Sequence, residues 1–246
     1  MVFHVESNNM ENKRVIILDY QLGNLFSVKQ ACHSVGVDAE ISSDKNAIAT
    51  ADAIILPGVG AFMEAMNNLR SLDLISPLND FVASSKPLLG ICLGLQLLFT
   101  ESEEFGNEKG LNYINGKIKK FPVKNILDNK IKVPHIGWNK LKKSNLDWNN
   151  TPLKNLKEDS YMYFVHSYFV EPDYNNNIVS CTNYEQVKFC SSVTNNSNIF
   201  ATQFHPEKSG ELGLSIYSNW ANFNGLIKLR KMKLERYYGL PQEVKF

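Results

Sequence analysis

The sequence predicts an α/β fold: a single domain built on a twisted, mostly parallel central sheet flanked by helices, with a mixed or antiparallel extension. Three observations carry this. In the first hundred or so residues, short β-branched apolar runs alternate with helix-periodic segments, the pattern of βαβ units joined by right-handed crossovers. Beyond about residue 105 the strand-like runs become shorter and closer, separated by Asn- and Lys-rich intervals, which suits antiparallel pairing. The chain has 246 residues, 43% of them hydrophobic. That is enough for one large core, and no Pro- or Gly-rich linker divides it.

Taken in order, residues 1–13 are polar and aperiodic and read as a tail; Met10 would itself serve as a start. Val15–Leu18 is the first strand, ending at Asp19. Asn24 is a good N-cap for a helix over 25–35, which Gly36 ends. Val37–Ile41 and Ala53–Leu56 are the next strands, the latter stopped by "PGVGAF". Helical patterns follow at about 60–70 and 74–84. Leu88–Ile91 reads as a buried strand. Apolar side chains from Leu93 to Phe99 are too dense for a half-exposed strand and suit a buried helix. Further strands are expected over 116–120, 131–133, 161–165, 177–181, 187–193 and 199–204, with a last helix over 209–227. The domain therefore spans 14–227, and 228–246 form a basic extension. Five Lys/Arg stand against one Glu over 228–236, either a solvated face or an added partner contact.

Bulk properties exclude several classes. A net charge of +1 gives no global field for nucleic acid. No run approaches the roughly 18 apolar residues of a membrane span, and the start lacks the apolar core of a secretory signal. The four cysteines, at 32, 92, 181 and 190, show no C-x-x-C spacing, so neither a metal centre nor a disulfide framework is expected. Reduced thiols and a cytoplasmic location follow.

The chemistry concentrates at strand ends. In open parallel sheets, ligands bind outside the carboxyl ends of the strands, and Asp19-Tyr20, Pro57–Gly60 and Cys92 all fall there. Gly90 and Gly94 flank Cys92 as G-x-C-x-G, the cysteine form of the nucleophile elbow. The plainer account of Cys92 is a buried core thiol. A helix start beyond it favours thiolate by only about 0.3–2 kcal/mol, so activation needs a base. Of the five histidines, His205 follows the last strand, and Glu207 lies two residues on. In extended chain these share a side, so the carboxylate can orient the imidazole as the acid of a triad does. The plainer account is a strand-end histidine beside a solvated glutamate. The backbone N–H of Leu93 and that of Val59, in the "PGVG" loop, would make a two-donor oxyanion hole. Gly58 and Gly60 permit the close approach this needs.

"GICLGLQLLF" together with "QFHPEKS" resembles the class I, triad-type glutamine amidotransferases. The resemblance implies that Cys92 attacks the side-chain amide of L-glutamine, that His205 is the base and that Glu207 orients it. Glutamate and ammonia leave by way of a glutamyl thioester, with no cofactor or metal. It also implies glutamine-binding roles for Gly58, Gln96, His166, Ser167 and Tyr168, which makes His166 a wall residue rather than a base. "LDYQLGNLFSV", "LPGVGAF", "VPHIGWN", "YFVHSY" and "QFHPEKS" resemble, in that order over about 14–226, the glutaminase subunits of imidazole glycerol phosphate synthases. Those subunits pass ammonia to a (β/α)8-barrel cyclase subunit. The cyclase makes imidazole glycerol phosphate and aminoimidazole carboxamide ribotide in histidine biosynthesis.

That likeness implies a heterodimer with Pro134, His135, Trp138 and Asn139 facing the partner. Trp138, in a Pro/Gly loop outside any apolar stripe, is its expected anchor. It also makes Pro57–Gly60 the expected moving part, completing the hydrolytic site only in the complex. The chain is longer at both ends than such subunits, and "TNYEQVKF" lacks their glycine after tyrosine. These departures keep open a paralogue feeding another synthase, for example one that amidates surface sugars. A cysteine hydrolase of peptides or esters would use the same three residues, whereas a regulator without activity is disfavoured by their being intact.

Overall fold

A computed structural model describes residues 13–124 and 127–227. The expected extension at 228–246, and the expected tail apart from Lys13, lie outside the described residues. The N-terminal half alternates as expected. β1 (Val15–Leu18) leads to α1 (Leu25–Ser34), β2 (Ala39–Ser42), α2 (Lys45–Thr50) and β3 (Ala53–Leu56). Then come α3 (Phe62–Ser71), α4 (Ile75–Ala83), β4 (Leu88–Ile91) and α5 (Leu93–Leu97). The side chain of Asn24 accepts the Ser27 N–H at 3.3 Å, capping α1. α2 was not expected, yet Asp44 caps it in the same way, accepting the Ala47 N–H at 2.7 Å.

The second half is strand-rich. β5 (Phe99–Ser102), β6 (Glu108–Lys109), β7 (Ile114–Lys120), β8 (His135–Lys140) and β9 (Lys142–Lys143) come first. β10 (Tyr161–His166), β11 (Tyr168–Pro172), β12 (Ile178–Tyr184), β13 (Val187–Thr194) and β14 (Ile199–Thr202) precede the last described helix, α6 (Gly210–Phe223). Three expectations are corrected here. The apolar run 93–99 divides, with five residues of helix and then the start of β5; all seven residues are buried, and where every side chain is covered, periodicity does not separate helix from strand. Residues 131–133 form no strand. "HIGWNK", read as a loop from its Gly, is β8.

Among the described residues the main sheet runs β2-β1-β3-β4-β14-β13-β11-β7-β5-β6, with β12 attached to β13 and β9 to β12. The five strands from β2 to β14 are mutually parallel. From β14 to β13, β11 and β7 the pairing is antiparallel. β8 and β10 make a separate antiparallel ribbon. The buried strands present alternate residues to two cores. Ile16 and Leu18 face one, packed with α2, α3 and α4; Val15 and Ile17 face the other, packed with α1 and α6. Helices thus cover both faces, as parallel strands buried on both sides require. No described helix is long and apolar enough to cross a membrane.

Candidate active site

The strand-to-helix turn after β4 places Cys92 at φ 54°, ψ −106°, a conformation costly for any residue with a Cβ and kept only where the surroundings enforce it. They do so here. The Cys92 N–H donates to the Thr202 carbonyl of β14 at 2.7 Å. The flanking glycines are required by close approach. A Cβ on Gly90 would lie 2.8 Å from Ala201 Cβ, and one on Gly94 would lie 1.8 Å from the Leu56 carbonyl oxygen. The thiol therefore projects from a turn clamped between β3 and β14.

β14 runs parallel to β4 in the register Ile91↔Thr202, so the residues following it emerge beside the elbow. His205 is held by its backbone N–H to the Tyr163 carbonyl, 2.9 Å. Ser209 Oγ donates to the His205 carbonyl at 2.7 Å. Pro206–Lys208 form a single 3-10 turn that folds Glu207 back under the ring, with His205 Nδ1 to Glu207 Oε1 at 2.7 Å and both side chains buried. Burial alone would lower the imidazole pKa. The charge on Cys92 and the hydrogen bond to Glu207 overcome this and push it up to about 10, while Nε2, on the other side of the ring, is buried with no hydrogen-bond partner in this geometry. The ring then keeps its proton at neutral pH. Substituting Cys92 by alanine removes the anion, so the His205 titration is expected to move down toward the acidic side, followed by imidazole nitrogen NMR over a pH series. An unmoved titration would show that Cys92 is not the group holding the proton.

A cleft of about 350 Å³ opens at the elbow. Cys92, Leu93 and Gln96 form its floor, Val59 and Gly60 one lip, and Pro134 and Val165 to Tyr168 the opposite wall. Of the expected glutamine-binding residues, Gln96, His166, Ser167 and Tyr168 thus line one cleft. Gly58 sits just behind the lip, where a Cβ would meet the Tyr20 hydroxyl at 2.0 Å. Tyr20, fully buried, donates that hydroxyl to the Pro57 carbonyl at 2.6 Å, and so anchors the loop. On its far side Glu104 Oε2 accepts the Phe62 N–H at 2.7 Å.

The two-donor oxyanion hole is not assembled in this structure. The Leu93 N–H donates to the Gly58 carbonyl at 3.3 Å. In a trans peptide the carbonyl and the following N–H point in opposite directions, so the Val59 N–H is turned away from Leu93. A single rotation of that peptide plane would both free one donor and present the other.

The expected partner-facing residues divide by strand alternation. On β8, Ile136, Trp138 and Lys140 point outward, with Ile136 58% and Trp138 55% exposed. His135 and Asn139 point inward, which corrects their placement at the surface. His135 is buried, stacked against Tyr184 and Phe164, with Nδ1 3.1 Å from His166 Nε2. Asn139 donates to the Asn183 carbonyl at 2.9 Å. Pro134 is exposed at the cleft wall. Sequence reasoning missed Ile136 and Tyr161, exposed on the same ribbon. It also missed Tyr20 and Gln203, whose carboxamide lies against the Cys92 sulfur at 3.7 Å.

An α/β sheet carrying a cysteine elbow, with a His–Glu pair on the adjacent parallel strand, defines a triad-type cysteine amidohydrolase. The profile of the family "Glutamine amidotransferase class-I" matches residues 16–221, and the chain belongs to that family. It is 42% identical over 209 residues to the imidazole glycerol phosphate synthase subunit HisH of Syntrophotalea carbinolica, covering 85% of this chain and 99% of that one. To the subunit HisH of Bacillus subtilis it is 41% identical over 215 residues, covering 87% and 99%. Among solved structures, a chain of PurLQS from Thermotoga maritima shares the fold, with a TM-score of 0.65 at 18% identity over 87% of this chain and 99% of that one.

Proposed function

We propose that this chain is the glutaminase subunit of an imidazole glycerol phosphate synthase, acting in the cytoplasm and supplying ammonia to a (β/α)8-barrel cyclase in histidine biosynthesis. The observation that carries the chemistry is the Cys92 thiol in a cleft small enough for a free amino acid, with the buried His205–Glu207 pair following the strand beside it. Its relatives carry the pathway.

The geometry supports a stepwise use of one proton. Cys92 as thiolate attacks the glutamine carboxamide carbon, and the carbonyl oxygen becomes an oxyanion. The tetrahedral species collapses, the C–N bond breaks and the nitrogen takes the His205 proton, leaving as ammonia. Once the sulfur is acylated, its negative charge is gone, and with it the main influence that kept the imidazole protonated. Burial then dominates, and the neutral ring takes a proton from water as the water attacks the thioester. Glu207 holds the ring's orientation in both half-reactions.

The Leu93–Gly58 hydrogen bond supports a gated enzyme. With the Leu93 donor occupied and the Val59 donor turned away, the oxyanion lacks both N–H groups, and one such donor is worth about 10²–10³ in rate. The outer face of the β8–β10 ribbon, bearing Ile136, Trp138 and Tyr161, runs toward the cleft wall at Val165. A partner docked there would sit beside the loop that must turn. The isolated chain is expected to release ammonia from glutamine slowly, and the complex with cyclase and its nucleotide ligand quickly. Full activity without partner would refute the gating, and none in the complex would refute the glutaminase. Trp138→Ala is expected to weaken association by about 2 kcal/mol, roughly thirtyfold in Kd, with the free chain still folded. Titration calorimetry reads this, and an unchanged Kd would move the interface elsewhere.

A further inference from the structure

Gln203 lies at the end of β14, fully buried, two residues before the catalytic histidine. Its surroundings fix which way round the carboxamide sits. The Tyr168 carbonyl can only accept, and the group 3.1 Å from it is Gln96 Nε2. The same Gln96 nitrogen lies 3.1 Å from the Gln203 carboxamide. Having only hydrogens to offer there, it must face the Gln203 oxygen. The Gln203 NH2 is therefore turned to the Cys92 sulfur, 3.7 Å away, an ordinary length for an N–H···S contact. The reverse orientation would put two donors against each other at one end and a carbonyl against the sulfur at the other.

The anchoring continues beyond Gln96. The Tyr168 carbonyl accepts a second hydrogen from His166 Nδ1 at 2.8 Å. His166 Nε2 then has only a lone pair for His135 Nδ1, 3.1 Å away, and His135 Nε2 accepts from Asn139 Nδ2 at 3.4 Å. Each link requires neutral imidazoles, and burial supplies them, lowering His135 to about 4 and His166 to about 3. A chain of donors and acceptors with one self-consistent orientation thus runs from the inward side of β8 to the nucleophile.

We propose that Gln203 is a positioning residue for the nucleophile: its carboxamide, oriented by Gln96, donates to the Cys92 sulfur, stabilises the thiolate and aims it across the cleft. This rests on the glutaminase reading and adds to the triad a neutral donor to the sulfur. The sulfur's other contact of this kind is the Val165 carbonyl, at 3.8 Å, which can accept from a thiol but offers nothing to a thiolate. Gln203 is the neutral group that distinguishes the two forms.

The test uses the full chain carrying Gln203→Met, which keeps volume, and Gln203→Asn, which keeps polarity but withdraws the donor by one methylene. The ultraviolet absorbance of the thiolate, with Cys92→Ser as the blank, is followed against pH. Losing one hydrogen bond to an anion is expected to move the appearance of the thiolate up by about one pH unit in both variants. In the complex with cyclase, kcat for glutamine is expected to fall about tenfold, matching that unit, with KM nearly unchanged. A role in packing alone would lower stability without moving the thiolate titration. If Gln203→Met does not fold, Gln203→Asn carries the test. Folded variants that titrate and turn over like the unsubstituted chain would overturn the proposal. If the unsubstituted complex hydrolyses no glutamine, the glutaminase reading fails instead, and the thiolate titration still decides the role of Gln203.

Discussion

Cys92→Ser is expected to abolish glutamine hydrolysis, by roughly four orders of magnitude or more, while synthesis from added ammonium salts in the complex continues. The serine hydroxyl fits the elbow, because the sulfur makes only long contacts, 3.7 Å to Gln203 and 3.8 Å to the Val165 carbonyl. The elbow backbone is held through the Cys92 N–H rather than the side chain. What serine lacks is an anion that a single imidazole can sustain at neutral pH. The His205 proton, kept in place by the neighbouring negative charge, would no longer be there for the leaving nitrogen. His205→Ala is expected to cost nearly as much, and the double substitution little more than either alone, since the groups act as a unit. Steady-state ammonia release from glutamine, compared with ammonium-dependent synthesis, separates this from a folding defect. Independent, multiplying losses would break the triad apart.

Gly94→Ala is expected to cost about 3 kcal/mol or more, at the upper end of what overpacking does, or a fall in Tm of about 6–12 °C for a domain of this size. The reason is one contact. A Cβ at position 94 would stand 1.8 Å from the Leu56 carbonyl oxygen, with the Leu56 carbonyl carbon at 2.8 Å. The obstacle is β3 backbone, paired on both sides with β1 and β4, not the tip of a mobile side chain. Relief requires α5 to lift off the sheet, which would carry the Leu93 N–H and the sulfur with it. Thermal unfolding with a glutaminase assay on the same preparation checks both halves. A stable, fully active variant would mean that the elbow tolerates a separation this geometry denies.

Much of the site was legible because its decisive signals are local. The elbow is five consecutive residues and the His–Glu pair is two apart, although a 3-10 turn, not the expected extended chain, brings the carboxylate to the ring. The parallel strands were readable from β-branched runs bounded by turn residues, and Asn24 announced its helix. What was hidden depends on which strand lies beside which. Tyr20 reaches Pro57, His135 meets His166, and Gln203 touches Cys92 only because strands distant in sequence are neighbours in space. The ribbon strand β8 was misread since glycine and proline in "PHIGWN" suggest a loop, whereas its pairing with β10 comes from residues 161–166. That error hid the alternation that turns His135 and Asn139 inward.

The place of β14 in the sheet has a consequence for synthesis of the chain. This strand lies between β4 and β13, joining the parallel part to the antiparallel part. Gln203 at its end meets a cysteine 111 residues earlier. A ribosome releases the elbow long before the strand that supplies its base, and such long-range pairing is the slow part of folding. A nascent or truncated chain ending before residue 199 carries the thiol but no imidazole beside it and no donor against the sulfur. The last described strand to be made fills the centre of the sheet, so the reactive centre is completed only late in synthesis of the chain. Copies that stop short of β14 lack the base and are expected to consume no glutamine.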